Sequence, residues 1–152
     1  MNDPAGCTSI DLEIPIEATR ETVWNALFDH TNDWWLDDFR MTSPDSTVTF
    51  DRSAGGKGIV EESRDGSFLI WYHVQMYLPS QFKVYLNGHI APEWGGPTTS
   101  SLKLALKESQ TGCVLQIADA RHGHADESQK KTCEDGWRQL FTDGLKAFAE
   151  SQ

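Results

Sequence analysis

The sequence predicts an α+β domain: a curved antiparallel sheet of seven strands wrapped around a long C-terminal helix, with two short helices between strands 1 and 2. Three observations carry that expectation. Apolar and polar residues alternate with period two in a series of short segments, which is the pattern of strands with one buried face. Gly, Pro and Asp clusters punctuate those segments as turns. An apolar stripe at helical spacing appears after Thr19 and again, at greater length, in the last thirty residues.

The elements follow in order. Residues 1–7 read as a tail, and residues 8–151 as a single unit with no linker or repeat. Ile10 to Ile16 alternates cleanly, with Pro15 suited to a strand end or an edge. Thr19 caps a helix starting at Arg20, whose apolar face is Val23, Trp24, Leu27 and Phe28. The chain restarts at Thr31-Asn32-Asp33, placing Trp34 and Trp35 on a second short helix or turn. Ser46 to Asp51 and Gly58 to Ser63 pair as a hairpin about Ala54-Gly55-Gly56.

Residues 67–77 form a long strand and Gln81 to Asn87 the next, followed by a loop from Pro92 to Pro97. Leu102, Leu104 and Leu106 alternate, as do Cys113, Leu115 and Ile117. In the final helix, Trp137, Leu140, Phe141, Leu145 and Phe148 share one face, and Thr132 with Asp135 resembles a capping box. Gly136 and Gly144, on that same broad side, are expected to allow close approach of another element.

Composition narrows the function classes. The chain has 152 residues, enough to bury a core without disulfide or metal support. Thirteen basic against 23 acidic residues give a net charge of −10, which repels nucleic-acid phosphate and anionic lipid, so neither is expected as a partner. Three cysteines without a CxxC fit reduced thiols in a cytoplasmic protein. The N-terminus lacks the pattern of a signal peptide, and no apolar run reaches the eighteen or so residues of a membrane span. An edge strand such as residues 10–16, or the Trp94 loop, offers a place for a second copy of the chain to pair, so a homodimer stays open.

The order of elements is that of the helix-grip fold, and particular residues resemble the SRPBCC superfamily. These are Ile16 to Asp29, Trp34-Trp35, Gly55-Gly56 before a strand, Thr99 to Leu102 opening another, and Gly136-Trp137 with Leu140. Over residues 9–150 the chain looks most like the branch of homologues of the heat-shock-protein ATPase activator's C-terminal domain. It departs from that pattern at Thr19, where the family often has Pro, and at Leu36-Asp37-Asp38, where a Gly or Pro is usual. The resemblance implies a cavity between sheet and helix. It also covers lipid and hormone binders, aromatase/cyclases and co-chaperones, so it does not by itself fix a function.

The candidate site follows from that cavity. Strand 67–77 is apolar on both faces, and one reading turns Trp71, His73 and Gln75 inward as a mainly apolar wall with polar groups to orient a ligand. The competing reading puts Tyr72 in the core and those three outside. Trp34 and Trp35 stand where the resemblance implies an entrance lid, either gating the pocket or plugging it. Phe50, Leu104, Leu115, Trp137 and Phe141 complete the candidate lining.

No metal site is expected: His122-Gly123-His124 has no further ligands at suitable spacing and reads as solvated loop histidines. Glu61-Glu62, Asp37-Asp38 and Asp119 with Arg121 are the carboxylates to weigh as acid or base, and no nucleophile motif or dinucleotide fingerprint accompanies them. The expected function is therefore binding of an apolar or aromatic small molecule, without a cofactor. The alternatives are a cyclase or dehydratase, with His73 and Glu61 the first positions to test, and a co-chaperone-like interaction module.

Overall fold

The computed structural model describes residues 5–152. Residues 1–4 of the expected tail lie outside the described residues. Its last positions do not form a tail, because β1 (Gly6–Ile16) already pairs Gly6 and Cys7 with Gly123 and His122. The sheet has seven strands in the order β1-β7-β6-β5-β4-β3-β2, and every neighbouring pair is antiparallel.

Its remaining strands are β2 (Thr47–Asp51), β3 (Gly58–Glu62), β4 (Phe68–Leu78), β5 (Lys83–Ile90), β6 (Thr98–Ser109) and β7 (Gly112–Gly123). Strands β2 to β7 form a meander. β1 lies at the opposite edge from β2, and α1 (Arg20–Asp29) and α2 (Thr31–Trp34) carry the chain across.

Alternation places the core. Ile10, Leu12, Ile14 and Ile16 of β1, Leu102, Leu104 and Leu106 of β6, and Cys113, Leu115 and Ile117 of β7 are all buried on the inner face. The helices cover that face. Thr19 caps α1 as expected, its Oγ1 accepting from the Thr22 N–H at 3.1 Å. Trp34 is buried and donates its indole N–H to the Ala26 carbonyl at 2.9 Å, which fixes α2 against α1.

The terminal helix runs without a break through α3 (Glu127–Gln139), a π-helical stretch (Leu140–Lys146) and α4 (Ala147–Glu150). Its capping box is not at Thr132 and Asp135. Asp126 accepts from the Gln129 N–H at 2.8 Å while the Gln129 side chain returns to the Asp126 N–H. Thr132 sits inside the helix and donates to the Ser128 carbonyl.

The two helix glycines play different parts. Gly144 lies against the Trp34 carbonyl, where a side chain would collide with backbone, so close approach occurs there. At Gly136 a Cβ would meet nothing within 4 Å. That glycine faces open space.

Strand β4 is where simple alternation fails. Its register slips against β3 between Ile59 and Val60, leaving Trp71 as an extra residue between Ile70 and Tyr72. It slips again against β5 between Val74 and Met76, leaving Gln75 unpaired. Each bulge resets which side chain points inward. Tyr72 is buried, Trp71 packs edge-on against the buried Trp35 at 5.2 Å, and Tyr77 stacks on Trp24 at 5.9 Å.

Candidate functional site

The curved sheet and the terminal helix border a cavity of about 420 Å³ that is open to solvent on one side. Its sheet wall is Leu69 to Tyr72 of β4 and Gly88 to Ile90 of β5, and its helix wall includes Cys133, Gly136, Trp137 and Leu140. The mouth is marked by Met41 and Trp94, which line the cavity yet are 53% and 56% exposed. One absent side chain leaves room: at Gly136 a Cβ would meet nothing within 4 Å, so the helix wall is open there, whereas at Gly88 the Tyr72 ring and the Trp71 carbonyl fill the space.

A polar cluster stands at the wall of this apolar chamber, with Tyr72, Arg121, Cys133 and Trp137 lining it and Asp119 and Ser100 behind them. Asp119, 1% exposed, accepts from the Ser100 hydroxyl at 2.6 Å through Oδ1. Its Oδ2 accepts from Arg121 Nη1 at 3.0 Å, from the Trp137 indole N–H at 2.9 Å and from the Cys133 thiol at 3.6 Å. The Tyr72 hydroxyl lies 2.7 Å from the Ser100 hydroxyl and extends the chain of contacts to β4. The cluster therefore ties β4, β6, β7 and the terminal helix together around one carboxylate.

The environment sets the protonation of its members. Burial, reinforced by the charge of Asp119, raises the Tyr72 phenol above its ordinary range, so it stays protonated. Burial pushes the Cys133 thiol up to about 12; Arg121 pulls against that, and Asp119 adds to it. Cys133 is therefore a neutral thiol near pH 7 and no nucleophile.

At the mouth, His124 Nδ1 and the Gln129 amide both reach the Gly95 carbonyl at 2.9 Å, holding the Trp94 loop beside the opening. His124 thus has a defined partner instead of lying free in a loop, while His122 is exposed on β7.

Of the residues expected to line the cavity, Trp71 and Trp137 do. Trp35 and Phe141 stand one layer behind, in contact with Trp71 at 5.2 Å and with Trp137 at 5.7 Å. Trp34, Phe50, Leu104 and Leu115 are buried in the core away from the cavity wall, and Trp34 is a plug against the terminal helix instead of a gate. His73 and Gln75 are exposed and do not line the cavity: Tyr72 takes the inward position, the bulge at Trp71 brings that residue in beside it, and His73 and Gln75 fall on the opposite face.

Glu61 is fully buried but also serves elsewhere. Its carboxylate accepts from the Met41 and Thr42 N–H groups, the Thr42 and Ser46 hydroxyls and the Trp71 indole. Burial pushes its carboxyl up, and the Thr42 and Met41 hydrogen bonds outweigh that and hold it below the ordinary glutamate range. It fastens the segment before β2 to the cavity wall.

Sequence reasoning weighed Asp119 with Arg121 as an acid or base candidate but did not count Arg121 among the cavity residues, although a signal was present. Both continue the inward register of Cys113, Leu115 and Ile117, and charged residues in the buried phase of an apolar strand need a reason to be there.

Comparison with known proteins agrees with this architecture. The family described as Activator of Hsp90 ATPase homolog 1-like protein matches residues 17–150. The chain belongs to that family. It is thus a member of the SRPBCC superfamily in its heat-shock-ATPase-activator branch.

Among solved structures, protein MLL2253 from Mesorhizobium loti is similar at 17% identity and a TM-score of 0.67, covering 95% of this chain and 98% of that one. Ara h 8.0201 gives 13% identity and a TM-score of 0.67, covering 97% and 100%. Norcoclaurine synthase from Thalictrum, in complex with a transition-state analogue, gives 13% identity and a TM-score of 0.59, covering 97% of each chain. At these identities the likeness is one of fold. No curated protein sequence matches the chain. Among the described residues, no helix of this family member is long and apolar enough to cross a membrane.

Proposed function

We propose that the protein binds an apolar or aromatic small molecule in the cavity between sheet and terminal helix. The observation that carries this reading is a chamber of about 420 Å³ left open beside Gly136 and walled by Trp71, Trp137, Ile70 and Leu140. A packed core elsewhere in the molecule shows that the sequence is able to fill its interior, so the unfilled volume is a feature of this end. Ligand pockets are commonly of this size and lining, with a few placed polar groups. The same reading takes the protein to be cytoplasmic, with three unpaired cysteines.

Catalysis finds less support. His73 points away from the cavity, and the Glu61 carboxylate is occupied by donors from the segment before β2. The likeness to norcoclaurine synthase says that this fold can host an enzyme, and it carries no residue across.

Native mass spectrometry of protein purified from its own host, followed by solvent extraction, tests the proposal. A stoichiometric apolar ligand is the expected result. A chain that emerges empty and also takes up no aromatic or aliphatic probe would contradict it.

A further inference from the structure

We propose that the ligand is an apolar or aromatic carboxylate whose acid head docks on the guanidinium of Arg121. This rests on the cavity reading above and specifies the chemistry of its occupant. Arg121 lines the cavity and is 9% exposed. Its Nη1 donates to Asp119, and among the described residues this is the guanidinium's one hydrogen bond. A guanidinium carries five N–H donors in a planar fork, so Asp119 holds it by one edge and leaves donors over.

Asp119 is an anchor and not a competitor for the ligand. It does not line the cavity, and its two oxygens already accept from Ser100, Arg121, Trp137 and Cys133. The wall facing the ligand contains no Asp or Glu, although the chain has 23 acidic residues and a net charge of −10. Its ionisable side chains are Arg121, His89, His124, Tyr72 and Cys133.

A buried cation with unused donors, in an apolar chamber from which acidic groups are kept out, matches a ligand with two acceptor oxygens and one negative charge. Trp71 and Trp137 flank the space for its apolar body.

The test is calorimetric titration of the full chain with biphenyl-4-carboxylate and with biphenyl-4-methanol, which share a body and differ in the head. The wild type is expected to favour the acid by at least about tenfold, as a bidentate charged pair requires. The D119N/R121Q double variant removes both charges together, so no uncompensated charge is left buried, and its preference is expected to fall below about threefold. Arg121→Lys keeps the charge but loses the fork, and is expected to fall between them.

Equal affinity of the wild type for both probes would overturn the head-group assignment while leaving the cavity reading in place. So would a preference retained in the double variant. Binding of neither probe would overturn both. Should the double variant not fold, as judged by near-ultraviolet circular dichroism, the wild-type comparison and Arg121→Lys decide the matter alone.

Discussion

At the scale of single residues, buried charges explain themselves by their donors. Glu61 is the clearest case, with two backbone N–H groups, two hydroxyls and an indole converging on one carboxylate. Replacing it by Gln removes the charge and sets an amide donor against those N–H groups, at an expected cost of about 2–4 kcal/mol. The pH dependence follows from the direction of its shift. Its carboxyl is held below the ordinary range in the folded state, so the unfolded chain binds the proton more readily. Its stabilising contribution is therefore complete above the ordinary glutamate range and is lost as pH falls through it toward the folded value. Chemical denaturation of wild type and Glu61→Gln between about pH 7 and pH 3 should show the difference between them shrinking as pH falls. A difference that stays constant would contradict this role. Glu61 was legible as a candidate inward carboxylate in its strand, but its donors come from residues 41 to 46, in a segment whose path no local pattern specifies.

At the scale of elements, the terminal helix shows how the same residue type serves opposite ends. Gly144 sits where a side chain would strike the Trp34 carbonyl, and Gly136 where it would strike nothing. Gly144→Ala is therefore expected to destabilise by about 1–3 kcal/mol through overpacking. Gly136→Ala is expected to stabilise by up to about 1 kcal/mol, because Ala is the better helix former and no neighbour must move. Thermal unfolding of the two variants checks the pair, and a shift of the same sign in both would refute it. Much of the element structure was readable: the Thr19 cap, the alternation of β1, β6 and β7, and the apolar face of the last helix all reflect local periodicity. The Asp126–Gln129 capping box was misplaced because Thr132 and Asp135 carry suitable residue types six residues too late. The bulges of β4 were not readable, since a bulge is set by pairing with β3 on one side and β5 on the other. The structure therefore combines the two readings weighed for this strand: Tyr72 is in the core with His73 and Gln75 outside, and the bulge at Trp71 brings that residue in beside Tyr72.

At the scale of the whole molecule, one end of the sheet is packed solid and the other is left open. Leu104, Leu115 and Phe50 were expected to line the cavity and are instead buried in the core, because which inward residues meet the cavity depends on sheet curvature and on the bulges of β4. Neither is a property of a short sequence window. The direct test of the open end is to fill it from the helix side. Calorimetric titration with biphenyl-4-methanol is expected to show one site per chain in the wild type and none in Gly136→Leu, whose side chain projects into the chamber while the fold is kept. Unchanged binding in Gly136→Leu, with the variant folded, would contradict the claim that the ligand occupies this cavity.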